Sequence, residues 1–426
     1  NAEAAWDKTT GSDQVIVAVI DTGVDIDHED LRDNVWTNAG ELPGNGIDDD
    51  KNGFADDVHG WNFLANSNDV KPHEPGASED GFIHGTLVAS LIAARGGNDV
   101  GVAGVAWNVK IMPLTALDGM GFGSSDDVAE AVRYAVTNGA QIINLSLEGY
   151  TNSTDITAAL AYARSKGVLT VAASGNAPDD PTGYDLDILP VYPACLSSDS
   201  SLGVMAVGGT DTLDQKSPYS NYGACVNVMA PSFDLFGARP VSLIATSTGA
   251  KSGYEGGYSG TSLAAPLVTG AAALLKSVHP LWQADQLKGR LMSSAWPIDG
   301  NPAYQGKLGS GRIDLAAALS DIAAGAPVAT SSPAGAVYAL AATIPGRPTR
   351  VRVTSGDKVT LELQPFGAGD ARGARAVFTD TDKNGIPEIF VAPASGHDLT
   401  WALYDLNGKE LKRGLLARDL KDGTLV

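Results

Sequence analysis

Gln14-Val15-Ile16-Val17-Ala18-Val19-Ile20-Asp21-Thr22-Gly23 decides the fold. The run is almost wholly apolar and β-branched, and it stops at Asp-Thr-Gly. A strand with one wet face alternates polar and apolar residues. A near-continuous apolar run suits a strand covered on both faces, as in a parallel sheet. Working outward, similar runs recur at 109–114, 141–147, 168–173 and 204–207, with helical patterns between them at 87–94, 125–138 and 155–166. This alternation predicts an α/β fold, a mostly parallel sheet flanked by helices. A further helix is expected over 262–277, with Pro266 tolerated in its first turn, where amides lack intrahelical partners. Ligands of such sheets bind beyond the carboxyl ends of the strands. Asp21 and Asn176 follow strands and fall there.

At 426 residues the chain is long enough for a large domain and a smaller one. Residues 321–348 are rich in Ala, Gly, Pro, Ser and Thr and read as a linker with room for one strand. Short alternating runs at 349–353, 358–363, 376–378, 389–392 and 400–404 then predict a small C-terminal all-β module. The expected organisation is therefore 1–320, 321–348 and 349–426. Charge agrees with it: residues 321–426 carry 12 acidic and 12 basic side chains, so the whole net charge of −21 lies in 1–320. Such acidity argues against a nucleic-acid partner and fits divalent cations. No stretch approaches the ~18 consecutive apolar residues of a membrane span. The polar start, Asn1-Ala2-Glu3, has no signal-peptide character, so the expectation is a chain whose targeting segment was removed or never present.

Three segments carry the chemistry: Asp21-Thr22-Gly23, His84-Gly85-Thr86 and Gly260-Thr261-Ser262-Leu263-Ala264-Ala265-Pro266. A serine hydroxyl is a poor nucleophile at neutral pH. It needs a base to take its proton, and the base needs a carboxylate to fix its tautomer. Asp, then His, then Ser is one of the few chain orders that build this arrangement. Singly, Asp21 reads equally as a strand-end turn residue, His84 as a helix-start residue and Ser262 as an N-cap. A zinc hydrolase is disfavoured, because neither His-Glu-x-x-His nor Cys-x-x-Cys occurs.

Together the segments resemble those of the subtilisin-like serine peptidases over about residues 5–320. The resemblance implies a serine endopeptidase acting on protein or peptide substrates. Ser262 would attack the scissile carbonyl and His84 would take its proton. Asp21 would orient His84, and Asn176, in Ser174-Gly175-Asn176, would donate to the oxyanion. Activity is then expected to rise with pH as His84 loses its proton. It further implies that substrate lies as an added strand between two edge segments, around Gly119, Met120 and Gly121 and around Ser146, Leu147 and Glu148, with Gly175 close by. Glu148 departs from the family's usual glycine. It could favour basic substrate side chains, narrow the cleft, or face solvent with no role. An N-terminal propeptide during maturation, secretion and a monomeric state are the accompanying expectations. Two rivals share these residues: a subtilisin-like peptide ligase, and an inactive scaffold that binds through its β module.

Gly44–Asp57 is the second strong signal. Asp48, Asp50 and Asn52 alternate before Gly53, which is the opening pattern of an EF-hand loop. The Phe54 carbonyl would follow as a ligand of Ca2+, and Asp56 or Asp57 would close the site. An acidic surface turn is the bland alternative. Asp30 and Asn98 resemble a second family calcium site. Asp380, Asp382, Asn384 and Glu388 repeat the alternation in the β module, where a plain turn at Asn384-Gly385 explains it equally well. On spacing alone, Cys195 and Cys225 are either one disulfide or two buried thiols. Family resemblance at Tyr192-Pro193-Ala194 and Asn221-Tyr222-Gly223 favours the disulfide.

Overall fold

The computed structural model describes residues 2–73, 79–240, 253–298 and 301–320, together with the C-terminal strands and short adjoining stretches between 338 and 415. The chain divides into two compact units, Asn1–Ala326 and Pro327–Val426.

In the first unit the strands are β1 Ile16–Asp21, β2 Trp61–Asn62, β3 Lys110–Thr115, β4 Ile142–Leu145, β5 Leu169–Ala173, β6 Val204–Thr210 and β7 Val228–Pro231, with a hairpin of β8 Leu235–Ala238 and β9 Tyr254–Tyr258. The helices are α1 Ala2–Trp6, α2 Glu79–Ala93, α3 Ser125–Thr137, α4 Thr154–Ser165, α5 Thr261–Val278, α6 Ala284–Ser293 and α7 Leu315–Ala318. Strands β1 to β7 form one sheet in the order β2-β3-β1-β4-β5-β6-β7, and every pairing in it is parallel.

Both faces of this sheet are covered, which is why its strands read as unbroken apolar runs. Val17 and Val19 of β1 join the core beneath α2 and α5, while Ala18 and Ile20 join the one beneath α3 and α4. The pleat sends alternate side chains to opposite faces. Local signals set the helix ends. Ser124 and Ser153 cap α3 and α4 by accepting from the amides of Asp127 and Ile156, satisfying donors that helix starts leave open. Helix α5 meets the length and composition of a membrane span, but 78% of that window is buried inside the protein, against β4 to β7.

Helix α2 begins eight residues before the stretch its apolar pattern indicated. Gly81, His84 and Gly85 dilute the periodicity and read locally as loop. In the structure Gly85 lets the helix close onto the end of β1, since a Cβ there would lie 2.2 Å from the Gly23 carbonyl oxygen. The disulfide Cys195–Cys225 spans 5.0 Å between Cα atoms.

In the second unit, β10 Tyr338–Ala342, β11 Val351–Ser355 and β12 Lys358–Leu363 form one antiparallel sheet. β13 Ala374–Thr379, β14 Glu388–Pro393, β15 Thr400–Tyr404 and β16 Glu410–Leu415 form another. Val351, Leu363, Ile389, Val391, Ala402 and Tyr404 share a small core. Strand β10 falls in the linker stretch, where room for one strand was expected, and β16 was not expected. Asp380, Asp382 and Asn384, and the side chain of Glu388, lie outside the described residues.

Candidate active site

Asp21 closes β1 and is fully buried. Its Oδ1 accepts from the Thr22 amide at 2.8 Å and from His84 Nδ1 at 2.7 Å. Its Oδ2 is buried and has no hydrogen-bond partner among the described residues. Two threonines lock the motifs together. Thr22 Oγ1 accepts from the Gly85 amide at 3.2 Å, and Thr86 Oγ1 accepts from the Asp25 amide at 3.0 Å. The His84 side chain stays a quarter exposed and faces a cleft of about 720 Å³ that Ser262 and Asn176 also line.

Ser262 is the second residue of α5, after the N-cap Gly260. Asn176 Oδ1 accepts from the Thr261 amide at 2.9 Å and from Thr261 Oγ1 at 3.2 Å. An amide nitrogen can only donate, so this contact fixes which way the Asn176 amide points. Its Nδ2 and Ser262 Oγ converge on one point: a Cβ built on Gly260 would lie 3.8 Å from the first and 3.2 Å from the second. Pro266 is the sixth helical residue, beyond the first turn, so the expected reason for tolerating it fails. The amide it lacks would have bonded the Ser262 carbonyl. Ser146 Oγ donates to that carbonyl instead, at 2.7 Å.

Of the two expected edge segments, Ser146, Leu147 and Glu148 run unpaired along the cleft wall after β4. Gly119–Gly121 instead forms a turn. The Gly121 amide bonds the Asp118 carbonyl at 2.8 Å, and Asp118 Oδ1 accepts from the amides of Met120 and Phe122, both at 2.9 Å. A carboxylate at the head of this segment satisfies its amides locally and curls it. Met120 and Gly121 still line the cleft. Glu148 bends back onto Gly175, where a Cβ would lie 1.8 Å from Glu148 Oε2. Burial of its carboxylate raises its pKa, and the nearby Asn176 backbone amide acts against that rise.

A family model described as the subtilase family, peptidase S8, matches residues 12–331. The chain belongs to the subtilase family. It is 34% identical to thermitase of Thermoactinomyces vulgaris over 313 residues, 74% of this chain and 91% of thermitase. It is 37% identical to the thermophilic serine proteinase of Bacillus sp. (strain AK1) over 273 residues, 64% of this chain but only 55% of that protein. A solved protease structure from Pseudoalteromonas arctica superposes with a TM-score of 0.56 at 29% identity, covering 76% of this chain and 94% of the other. The structure of the prenylagaramide maturation protease PagA gives 0.55 at 26% identity, over 76% and 98%.

The acidic loop of this subtilase gathers a different set from the expected one. Carboxylate oxygens of Glu41, Asp50 and Asp57 lie within 4.8 Å of one another. Asn38 Nδ2 donates to Asp50 at 2.9 Å and to Asp57 at 2.8 Å, and Asn52 Nδ2 donates to Asp57 at 2.8 Å. Asp48 is not in the group; its two oxygens accept from the amides of Asn52 and Gly53. Asp56 likewise turns to the amides of Asn45 and Gly46. The Phe54 ring packs on Trp61, Phe63 and Tyr134. Tyr134 also donates to Asp57, and burial together with that carboxylate holds its phenol well above its ordinary pKa. Sequence reasoning missed Glu41. It lies outside the alternation, and only the folding back of the loop brings it in. At the other expected site, Asn98 Nδ2 donates to buried Asp30 at 2.7 Å.

Proposed function

We propose that the chain is a secreted serine endopeptidase that cleaves protein substrates through an acyl-enzyme on Ser262. The observation that carries the reading is the convergence of three groups on one cleft: the buried Asp21–His84 pair, Ser262 Oγ, and the oriented amide of Asn176. His84 Nδ1 donates to Asp21, which leaves Nε2 as the basic nitrogen. It takes the Ser262 proton as Oγ bonds to the scissile carbonyl carbon, and returns that proton to the leaving amine. A water then repeats the sequence on the ester and frees the acid. Asp21 is fully buried, so its field acts on the imidazolium with little screening. Asn176 Nδ2 and the start of α5 stabilise the oxyanion.

Removing such a donor from a subtilisin costs about 10²–10³ in kcat, and the same loss is expected of Asn176→Ala with KM little changed. Steady-state cleavage of a peptide amide checks this. An unchanged kcat removes Asn176 from the reading.

Calcium fits the Glu41, Asp50 and Asp57 group, because three converging carboxylates are hard oxygen donors and one of them is fully buried. There it supplies positive charge that holds the loop and takes no part in bond cleavage. The disulfide supports an oxidising destination outside the cytosol.

A further inference from the structure

We propose that Glu148 makes the cleft select a lysine or arginine side chain on the substrate residue that carries the scissile carbonyl. This rests on the peptide-cleaving reading above. Among the described lining residues Glu148 is the one carboxylate. Its position ties it to that substrate residue. The carbonyl oxygen attacked at Ser262 points to Asn176, and the Glu148 carboxylate lies against Gly175, the residue before that asparagine. The side chain next to the reacting carbonyl therefore starts about one residue from Glu148. Leu147 and Ala173 line the same wall and offer apolar surface to the methylene stem of a long basic side chain, whose charged head can then reach the carboxylate.

Among the described residues, no lysine or arginine pairs with Glu148. Its carboxylate is drawn against Gly175. Glu148 as a residue is exposed to the cleft, so an incoming cation can reach its carboxylate, and a carboxylate with no counter-ion among the described residues gains from one. A neutral side chain of equal length supplies hydrogen bonds but no charge, and an acidic one meets repulsion.

The test uses the full chain and peptide amides that differ only at this residue: Lys, Arg, Gln, Leu, Ala and Glu. Wild type is compared with Glu148→Gln and Glu148→Gly, each normalised by titration with a fluorophosphonate. Wild type is expected to prefer Lys and Arg over Gln by about 10- to 100-fold in kcat/KM, the range of a charge-assisted hydrogen bond. Glu148→Gln should lose that preference, so that within the variant Lys, Arg and Gln peptides are cleaved at similar kcat/KM. Three results would overturn the proposal. One is the same ranking of peptides in wild type and Glu148→Gln. A uniform fall for every peptide would reduce Glu148 to a support for Asn176. A preference for Ala that Glu148→Gly relieves and Glu148→Gln does not would make the side chain a plug. A wild type that neither takes the titrant nor cleaves any peptide refutes the underlying reading, and the proposal with it.

Discussion

Pro266 leaves the carbonyl of Ser262 without the amide that an unbroken helix would aim at it, and the sequence supplies a replacement from another element. Ser146 Oγ donates to that carbonyl at 2.7 Å and accepts from Asn144 Nδ2 at 2.9 Å, while Asn144 Oδ1 accepts from Thr269 Oγ1 at 2.8 Å. A chain of three side chains thus ties the end of β4 to α5 on both sides of the proline, and Asn144 is fully buried within it. Ser146→Ala is expected to destabilise the protein by about 1–3 kcal/mol, the cost of an orphaned buried group. It should also lower kcat more than KM, because it frees the residue that bears the nucleophile. Thermal unfolding and peptide kinetics check both, and Ser146→Thr should restore them. A Ser146→Ala variant with wild-type Tm and kcat would show that the hydroxyl positions nothing. None of this was legible locally. Ser146 and Pro266 are 120 residues apart, and an Asn-x-Ser pair at a strand end does not announce what it will bond.

The acidic loop from Asn38 to Asp57 shows how far a motif reads at the scale of an element. Its alternation located the loop and two of the three converging carboxylates. Asp48 and Asp56, expected as ligands, instead accept from the loop's amides, as short acidic side chains in turns readily do. Glu41 accepts from the amides of Asp49, Asp50 and Asp56, so one side chain organises both ends of the loop. Gathering like charges around buried Asp57 is unfavourable unless a cation neutralises them. Chelation should therefore lower the Tm of wild type. At free calcium about 100 times the Kd, the bound ion adds about 2.7 kcal/mol. Asp50→Asn should shrink the calcium-dependent part of the Tm. Equal calcium responses in the two proteins would exclude this loop as the site.

At the scale of the whole molecule, the sheet was legible because burial on both faces writes itself into sequence as β-branched apolar runs. Five of the seven strands were expected, in every case within a few residues. β2 is two residues long and too short to leave a pattern. In the second unit, β16 (Glu-Leu-Lys-Arg-Gly-Leu) lies at the edge of its sheet. Charged residues suit an unpaired edge and erase the alternation by which a strand is recognised. The motifs that meet at the cleft were easier to pick out than the folds around them, since their chemistry demands particular residues beside glycine and threonine. What remained hidden was the machinery that aims them: Asn144, Thr269 and the tautomer-fixing burial of Asp21.

The central claim is that these groups make Ser262 an activated nucleophile. Intact-mass analysis after exposure to a fluorophosphonate, on calcium-loaded wild type and on Ser262→Ala, tests it most directly. A single adduct on wild type and none on the variant is the expected result. A folded, calcium-loaded wild type that takes no adduct, or a Ser262→Ala variant that takes the same one, would contradict it.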